Sequence, residues 1–243
     1  MAAVVSGSFV YRVEAGRDLL APGAILLGNV GRCFECGHEH SQGDRCLSFH
    51  FTPECWEGIA RSVPGRHRGR FGAISIPPLP SVLPVMAALE SSGELGQPII
   101  EEVALAFAGQ ALRLSHDLPV ETRMPRAIDE RRISTALHQI EESSSDVESD
   151  DLSLASLARQ AAMSRYHFLR TFRRIVGMTP HQYLLHVRMR KAALRIRATR
   201  EPLTTIALNA GFNDLSTFSR RFRGVMGASP SEYRRASSRP SHR

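Results

Sequence analysis

The chain of 243 residues lacks several features that would mark common classes of protein. No apolar run approaches the length of about eighteen residues that a membrane-spanning helix needs. The opening segment, MAAVVSGSFVYR, has neither a basic leader nor a sustained apolar stretch, so no export signal is visible. A nucleophile elbow, a phosphate-binding glycine loop and a His-Glu-x-x-His pattern are also absent. We therefore expect a cytoplasmic protein that is not an enzyme and does not associate with a membrane.

Cysteine is scarce and is confined to one short stretch of the first half. The four cysteines lie within 23 residues, at Cys33, Cys36, Cys46 and Cys55. In a cytosolic chain this clustering argues for reduced thiols, a metal site or a redox role rather than a disulfide framework.

Acidic residues are nearly absent from the second half of the chain. Residues 152–243 hold 18 arginines and lysines against three acidic residues, a net charge of +15, whereas residues 1–151 carry −8. Of these 18 cations only Lys191 is a lysine. The planar fork of arginine suits phosphates and guanine edges better than a point charge does. A solvated basic surface is the alternative, but the self-repulsion of so large a charge favours a nucleic-acid partner.

Local patterns divide the chain into two parts of different type. Alternating apolar residues and Gly-containing turns over residues 9–51 predict strands. Apolar residues at helical spacing predict helices at 98–116 and 126–141, and the acidic, Ser-rich stretch 141–151 is typical of a linker. We therefore predict an α+β protein with a β-containing domain, an acidic linker, an all-α domain and a basic tail, at 1–142, 143–151, 152–237 and 238–243.

The second half of the chain contains the same sequence pattern twice. The segment AAMSRYHFLRTFRRIVGMTPHQY, residues 161–183, is matched by AGFNDLSTFSRRFRGVMGASPSEY, residues 210–233. Small apolar residues upstream match at an offset of 49, and the Phe, Arg, Gly, Pro and Tyr positions downstream match at 50. The extra residue falls where each copy must turn. Each copy therefore predicts a short helix, a tight turn and a second helix, which is the helix-turn-helix outline.

Each second helix of the repeat has an apolar face and a basic face. Phe168 and Phe172 in the first copy, and Phe218 and Phe222 in the second, recur at i, i+4 and predict a buried stripe. The opposite faces carry Tyr166, Leu169, Arg170 and Arg173, and the equivalent Ser216, Ser219, Arg220 and Arg223. A basic stripe opposite the core in both copies favours DNA-groove reading over a solvated face.

A third helix is predicted between the two copies, over residues 181–199. At 1.5 Å per residue it would span roughly 28 Å. Successive major grooves on one face of DNA lie about 34–36 Å apart. One rod of this length is therefore suited to hold two reading helices in adjacent grooves of double-stranded DNA.

With this repeat, residues 150–237 resemble the AraC/XylS family of bacterial transcription regulators. The closing pattern, GFNDLSTFSRRFRGVMGASPSEYR, is among the more specific signatures of that family. The resemblance implies two helix-turn-helix units on a shared linker helix. It places base-facing residues at Tyr166, Leu169 and Arg170 in the first unit, and at Leu215, Ser216, Ser219 and Arg220 in the second.

The resemblance also implies a cupin-like sensing and dimerising domain before the DNA-binding half. Residues 7–29 look like the later strands of such a barrel, and the strands that normally precede them are missing, so a shortened barrel is expected. A homodimer is expected. Because a shortened barrel leaves little surface to cover the apolar stripes of the helices at 98–116 and 126–141, one of them, 98–116 in preference, is expected to contribute to the dimer interface. An activator of this family would also contact RNA polymerase.

The segment CFECGHEHSQGDRC holds the candidate metal ligands. If residues 33–41 and 45–51 form a hairpin that turns at Gly43-Asp44, the two-residue period brings thiols and imidazoles together on one face. A zinc set of Cys36, His38, His40 and Cys46 is then predicted. An exposed polar face with incidental thiols, or a redox sensor, is the alternative. DNA binding itself is expected to need no cofactor.

Three functions are compatible with these observations. The first is a sequence-specific transcription regulator, tuned by a ligand, metal or redox signal at its first half. The second is a repair-like protein whose first half performs metal- or thiol-dependent chemistry on DNA. The third is a non-specific architectural protein. The matched reading faces favour the first.

Overall fold

The computed structural model describes residues 1–37, 43–65, 69–91, 97–118, 125–143 and 152–237. A β-rich region is followed by a helical region, as the sequence predicts. The strands run in the order β1 Ala2–Ser6, β2 Phe9–Val13, β3 Gly16–Leu20, β4 Ile25–Leu26, β5 Phe34–Gly37, β6 Arg45–Ser48 and β7 Ser75–Ile76. The helices are α1 Pro53–Ser62, α2 Leu83–Ser91, α3 Gln97–Asp117, α4 Ala127–Ser143, α5 Leu154–Gln160, α6 Arg165–Val176, α7 Pro180–Ala198, α8 Leu203–Asn209, α9 Leu215–Met226 and α10 Pro230–Ser237.

The strands form two antiparallel sheets. One sheet has the order β6-β1-β4-β7 and the other the order β3-β2-β5. Alternate residues of both sheets, among them Val4, Phe9, Tyr11 and Leu20, form a shared apolar cluster. The predicted hairpin over 33–51 is wrong, because β5 pairs with β2 whereas β6 pairs with β1. The sequence period identified the strands but carried no information about which strand each would pair with.

The apolar stripe of α3 is covered within the chain. Phe107, Ala111 and Leu112 are buried in a cluster that also contains Ile76 and Met86. Helix α3 contacts α1, α2 and β7. The sequence-based reason for placing a dimer interface on this helix, namely a stripe with nothing to cover it, is therefore removed.

Both copies of the repeat have the predicted helix-turn-helix form. Ser164 caps α6 by accepting the backbone N–H of His167, and Asp214 caps α9 by accepting that of Thr217. Gly177 and Gly227 end these helices with left-handed φ values of 84° and 78°, which glycine adopts without steric cost. The added residue lies in the turn, which occupies 161–164 in the first copy and 210–214 in the second.

A further element of the repeat is a capping box that sequence inspection missed. The Thr179 hydroxyl accepts the backbone N–H of Gln182, whose side chain accepts the backbone N–H of Thr179. Ser229 and Glu232 exchange the same two hydrogen bonds at the start of α10. The signal is Ser or Thr, then Pro, then Gln or Glu three positions after the cap. It fixes where α7 and α10 begin.

The aromatic cores of the two units repeat as well. In the first unit the rings of Phe168 and Phe172 lie 5.6 Å apart, and Tyr183 packs edge-on against Phe172 at 6.0 Å. In the second unit Phe218, Phe222 and Tyr233 make the same contacts, at 5.5 Å each. The predicted buried stripes are confirmed, since all four phenylalanines are fully buried. Helix α7 packs its first half, with Tyr183 and Val187, into the core of the first unit and its second half, with Ala193 and Ile196, into the core of the second.

The first half of the chain packs directly on both helix-turn-helix units. One cluster joins Val10, Leu19 and Ile133 of the first half to Phe168 and Phe172 of the first unit. A second cluster joins Leu83 and Ala87 of α2 to α7 and the second unit. The acidic segment also begins later than its composition suggests, because α4 continues through Glu141 to Ser143. The charge asymmetry predicted two parts, but it did not predict that they would share cores.

A buried histidine in α7 predicts a loss of stability in acid. His186 is 7% exposed, and its Nδ1 has no hydrogen-bond partner among the described residues. Burial lowers the pKa of His186 from 6.5 to about 4. As the pH falls below 6.5, this histidine is protonated in the unfolded chain but stays neutral in the folded chain. The free energy of unfolding therefore decreases as the pH drops from 6.5 towards 4.

We expect this loss to reach up to about 3 kcal/mol near pH 4 in urea unfolding. A His186→Leu variant should lose less stability over the same pH range. The control is His181→Leu, since His181 is exposed on the same helix. An unchanged pH profile for His186→Leu would contradict the assignment.

Candidate nucleic-acid interface

The outer face of α6 presents the side chains that the sequence predicts for the first unit. Tyr166 is 75% exposed, and Arg170 and Arg173 are exposed beside it. The Arg170 guanidinium carbon lies 6.0 Å from the centre of the Tyr166 ring, so the aromatic face partly orders this cation. Leu169 is half-buried at the edge of the face. The face therefore combines one aromatic and two cationic side chains opposite the phenylalanine core.

The equivalent face of α9 is more polar. Ser216, Arg220 and Arg223 are exposed, and Ser219 is half-buried. Leu215 is predicted to face the bases, and its half-buried side chain also packs against the core of the second unit. The Asp214 cap lies at the start of this helix, and its hydrogen bonds from Thr217 lower the pKa of the carboxyl. The face therefore offers hydroxyl groups and two arginines.

The structure separates the arginines of the helical region into two groups. Arg174, Arg190 and Arg195 lie within 4.0 Å of Asp129, Glu141 and Glu201 respectively. The predicted reading arginines, namely Arg170, Arg173, Arg220 and Arg223, form no salt bridge with any residue that the structure describes. Sequence inspection could not make this division, because both groups carry the same charge.

His167 is an exposed residue that the predicted reading set omits. It lies in the first turn of α6, next to Phe168 and one turn before Thr171. Its backbone N–H donates to the Ser164 hydroxyl at 3.3 Å, which holds the start of the helix. The signal available in the sequence was its place directly after Tyr166 in the N-terminal turn, where side chains reach a groove first.

The four predicted zinc ligands are only partly placed by the structure. Cys36 and Cys46 lie in different sheets, and both pack half-buried against the same apolar cluster. Burial raises the pKa of Cys36, and burial together with a 3.3 Å hydrogen bond to Asp44 raises the pKa of Cys46 to about 12. His38 and His40 lie outside the described residues. Within the described ranges no group of three or more candidate ligands occurs.

Comparisons with known proteins find relatives that match part of this chain. A family model described as a helix-turn-helix domain matches residues 157–236. An HTH-type transcriptional regulator of Haemophilus influenzae is 32% identical over 110 residues, which are 45% of this chain and 36% of that protein. MtrA, an HTH-type transcriptional regulator of Neisseria gonorrhoeae, is 31% identical over 90 residues, or 37% of this chain and 30% of MtrA. The Tn10 TetD protein of Escherichia coli is 34% identical over 84 residues, or 35% of this chain and 61% of TetD. The chain thus spans less than two thirds of the length of each relative.

Solved structures are also similar to part of this chain. An AraC-type regulator from Chromobacterium violaceum is 25% identical, with a TM-score of 0.42, over 48% of this chain and 100% of that structure. The DNA-binding domain of AdpA in complex with a target DNA is 27% identical, with a TM-score of 0.40, over 46% of this chain and 98% of that domain.

The repeated fold and its two exposed arginine faces define a DNA-binding domain with two helix-turn-helix units. Residues 157–236 match the family of helix-turn-helix domains, in agreement with the AraC-type pattern that the sequence predicts. In the parts of the chain that the structure describes, no helix is both long and apolar enough to cross a membrane.

Proposed function

We propose that this protein is a transcription regulator that recognises a specific DNA sequence through two adjacent major grooves. The observation that carries the proposal is the pair of equivalent faces on α6 and α9. Each face lies opposite a fully buried phenylalanine pair and exposes two arginines that form no salt bridge with any described carboxylate. The pairing of arginine with the O6 and N7 atoms of guanine is the commonest specific contact between a side chain and a DNA base.

The test is selection of bound duplexes from a random DNA pool with the full-length protein. We expect a motif with two parts whose centres lie about one helical turn apart. Random DNA at physiological salt should compete at least about a thousandfold less well than the selected duplex. Equal competition by random DNA would show an architectural protein instead.

Several narrower features belong to the same proposal. We place the protein in the cytoplasm, without enzymatic activity, as a homodimer that contacts RNA polymerase if it activates. Because the α3 stripe is covered, the dimer needs a direct test by analytical ultracentrifugation at micromolar concentration. A reaction of Cys36 or Cys46 with methylated DNA would favour the repair-like alternative, although both thiols are half-buried with raised pKa values.

The first half is the candidate sensor in this proposal, and zinc is one candidate signal. Cys36 and Cys46 line one cluster between the two sheets, which keeps a shared site compatible with the fold. We predict about one zinc per chain in protein purified without chelator. A double Cys36→Ser/His38→Ala change should release this zinc, whereas Cys55→Ser should not. If elemental analysis finds no metal, the zinc prediction is wrong and a redox or structural role is left for these cysteines and histidines.

A further inference from the structure

Helix α2 is buried on two faces at once. Met86, with Val82 just before the helix, packs into a cluster that contains β7 and α3 residues of the first half. Leu83 and Ala87, also four positions apart, pack into the cluster of the second helix-turn-helix unit. Helix α2 contacts both α7 and the recognition helix α9. It therefore attaches the second unit to the first half.

Helix α4 attaches the first unit in a similar way. Ile133, Leu137 and Ile140 pack among Phe168, Phe172 and residues of β2 and β3. Helix α4 contacts the recognition helix α6 and the linker helix α7.

Polar contacts reinforce this attachment. An oxygen of Asp129 lies 3.7 Å from Arg174 on α6. Glu141 accepts a hydrogen bond from Tyr183 at 3.0 Å and lies 2.7 Å from Arg190 on α7. The Lys191 ammonium donates to the Glu141 backbone carbonyl at 2.5 Å.

Both attachments belong to one packed body. The Ser8 hydroxyl lies 2.6 Å from that of Ser134 on α4, and Arg17 of β3 lies 3.3 Å from the buried Glu130 of α4. Helix α2 packs on α3, which packs on β7 of the other sheet, and the two sheets share one apolar cluster. The first half therefore reaches the two recognition helices from a single framework.

The end of α6 shows that this contact is close. A Cβ added to Gly177 would lie 2.8 Å from Cβ of Pro77, in the loop after β7. At the equivalent Gly227 of the second unit, the described residues leave open space within 4 Å. The first unit is thus held at the end of its recognition helix, and the second unit is held through α2.

From these contacts we infer that the first half is a brace that sets the orientation of α9 relative to α6, with Leu83 as a positioning residue. The brace determines which spacing of the two DNA half-sites the protein accepts. This inference rests on the proposed two-groove reading. One added base pair rotates the second half-site by about one tenth of a helical turn. A braced pair of helices cannot follow that rotation without breaking the α2 or α4 contacts.

The experiment compares Leu83→Ala with Leu26→Ala in the full-length protein. Both changes truncate a buried leucine of the first half, but Leu26 lies in the cluster between the two sheets, which contains no residue of α2, α4 or the helix-turn-helix units. Affinity is measured for the selected duplex, for duplexes with one base pair added or removed between half-sites, and for a duplex with one half-site. Wild type and Leu26→Ala should lose affinity about tenfold when the spacing changes. Leu83→Ala should lose about threefold or less, with unchanged affinity for the single half-site.

Other outcomes separate the inference from the proposed function. Equal spacing preference in Leu83→Ala and wild type overturns the brace, as does equal relaxation in Leu26→Ala. If Leu83→Ala does not fold, the milder Leu83→Val and Leu26→Val pair gives the same comparison. A wild-type protein that selects no sequence would overturn the proposed function itself, before any spacing is compared.

Discussion

Replacing Arg220 with alanine is expected to relax the base preference of the protein at one or two positions of its DNA site. Arg220 lies on the exposed face of α9, on the second turn of the helix, where a side chain reaches the floor of a major groove. Losing a bidentate contact with guanine should cost about 1–3 kcal/mol at that position. Binding-site selection on the variant measures which positions change.

Arg223→Ala is the matched control on the same helix. Arg223 is also exposed but lies a turn further along, where the groove curves away and phosphates are nearer. Its loss should weaken binding to all sequences alike. The slope of log affinity against log salt concentration should fall in magnitude by about one, as expected for the loss of one phosphate contact. The preferred sequence should not change.

The first unit offers the same comparison. Arg170 is equivalent to Arg220, so Arg170→Ala should relax a second set of positions about one helical turn away. Identical sequence preferences for wild type and Arg220→Ala would refute the assignment of α9 as a reading helix. A change confined to one set of positions in both variants would show that only one unit reads bases.

Replacing Glu141 with alanine is expected to lower the free energy of unfolding by about 3–5 kcal/mol. The side chains of Glu141 and Arg190 are 17% and 7% exposed, and their charged atoms are 2.7 Å apart. Without the carboxylate, the buried Arg190 cation loses this ion pair and the Tyr183 hydroxyl loses the hydrogen bond to Glu141. Alanine favours helix formation, so the loss cannot be attributed to α4 itself. Urea unfolding followed by circular dichroism gives the value.

The neighbouring Glu142→Ala provides the control. Glu142 is 67% exposed, and its salt-bridge partner among the described residues is His138, one turn earlier on the same helix. An exposed pair of this kind contributes about 0–1 kcal/mol. Similar losses in the two variants would mean that the Glu141 contacts do not couple α4 to the linker helix.

Glu141 and Glu142 have different roles that their sequence context does not distinguish. Both begin the acidic, Ser-rich stretch 141–151, whose composition is that of a linker, although the predicted domain boundary at 142 leaves both in the first domain. In the folded chain both are helical, but only Glu141 faces the linker helix. Composition reports the average solvation of a segment, whereas the role of each carboxylate depends on a surface about fifty residues away along the chain.

The sequence alone determined the two helix-turn-helix units, their buried phenylalanines and their exposed arginine faces. These features follow from helical periodicity, caps and turn glycines, all of which act between residues a few positions apart. Tertiary structure decided the rest: that β5 and β6 pair with different strands, that α2 is buried on two faces, and which arginines are neutralised. Strand pairing and packing across the two halves join residues distant in sequence, and no local pattern specifies which distant surface a strand or helix will meet.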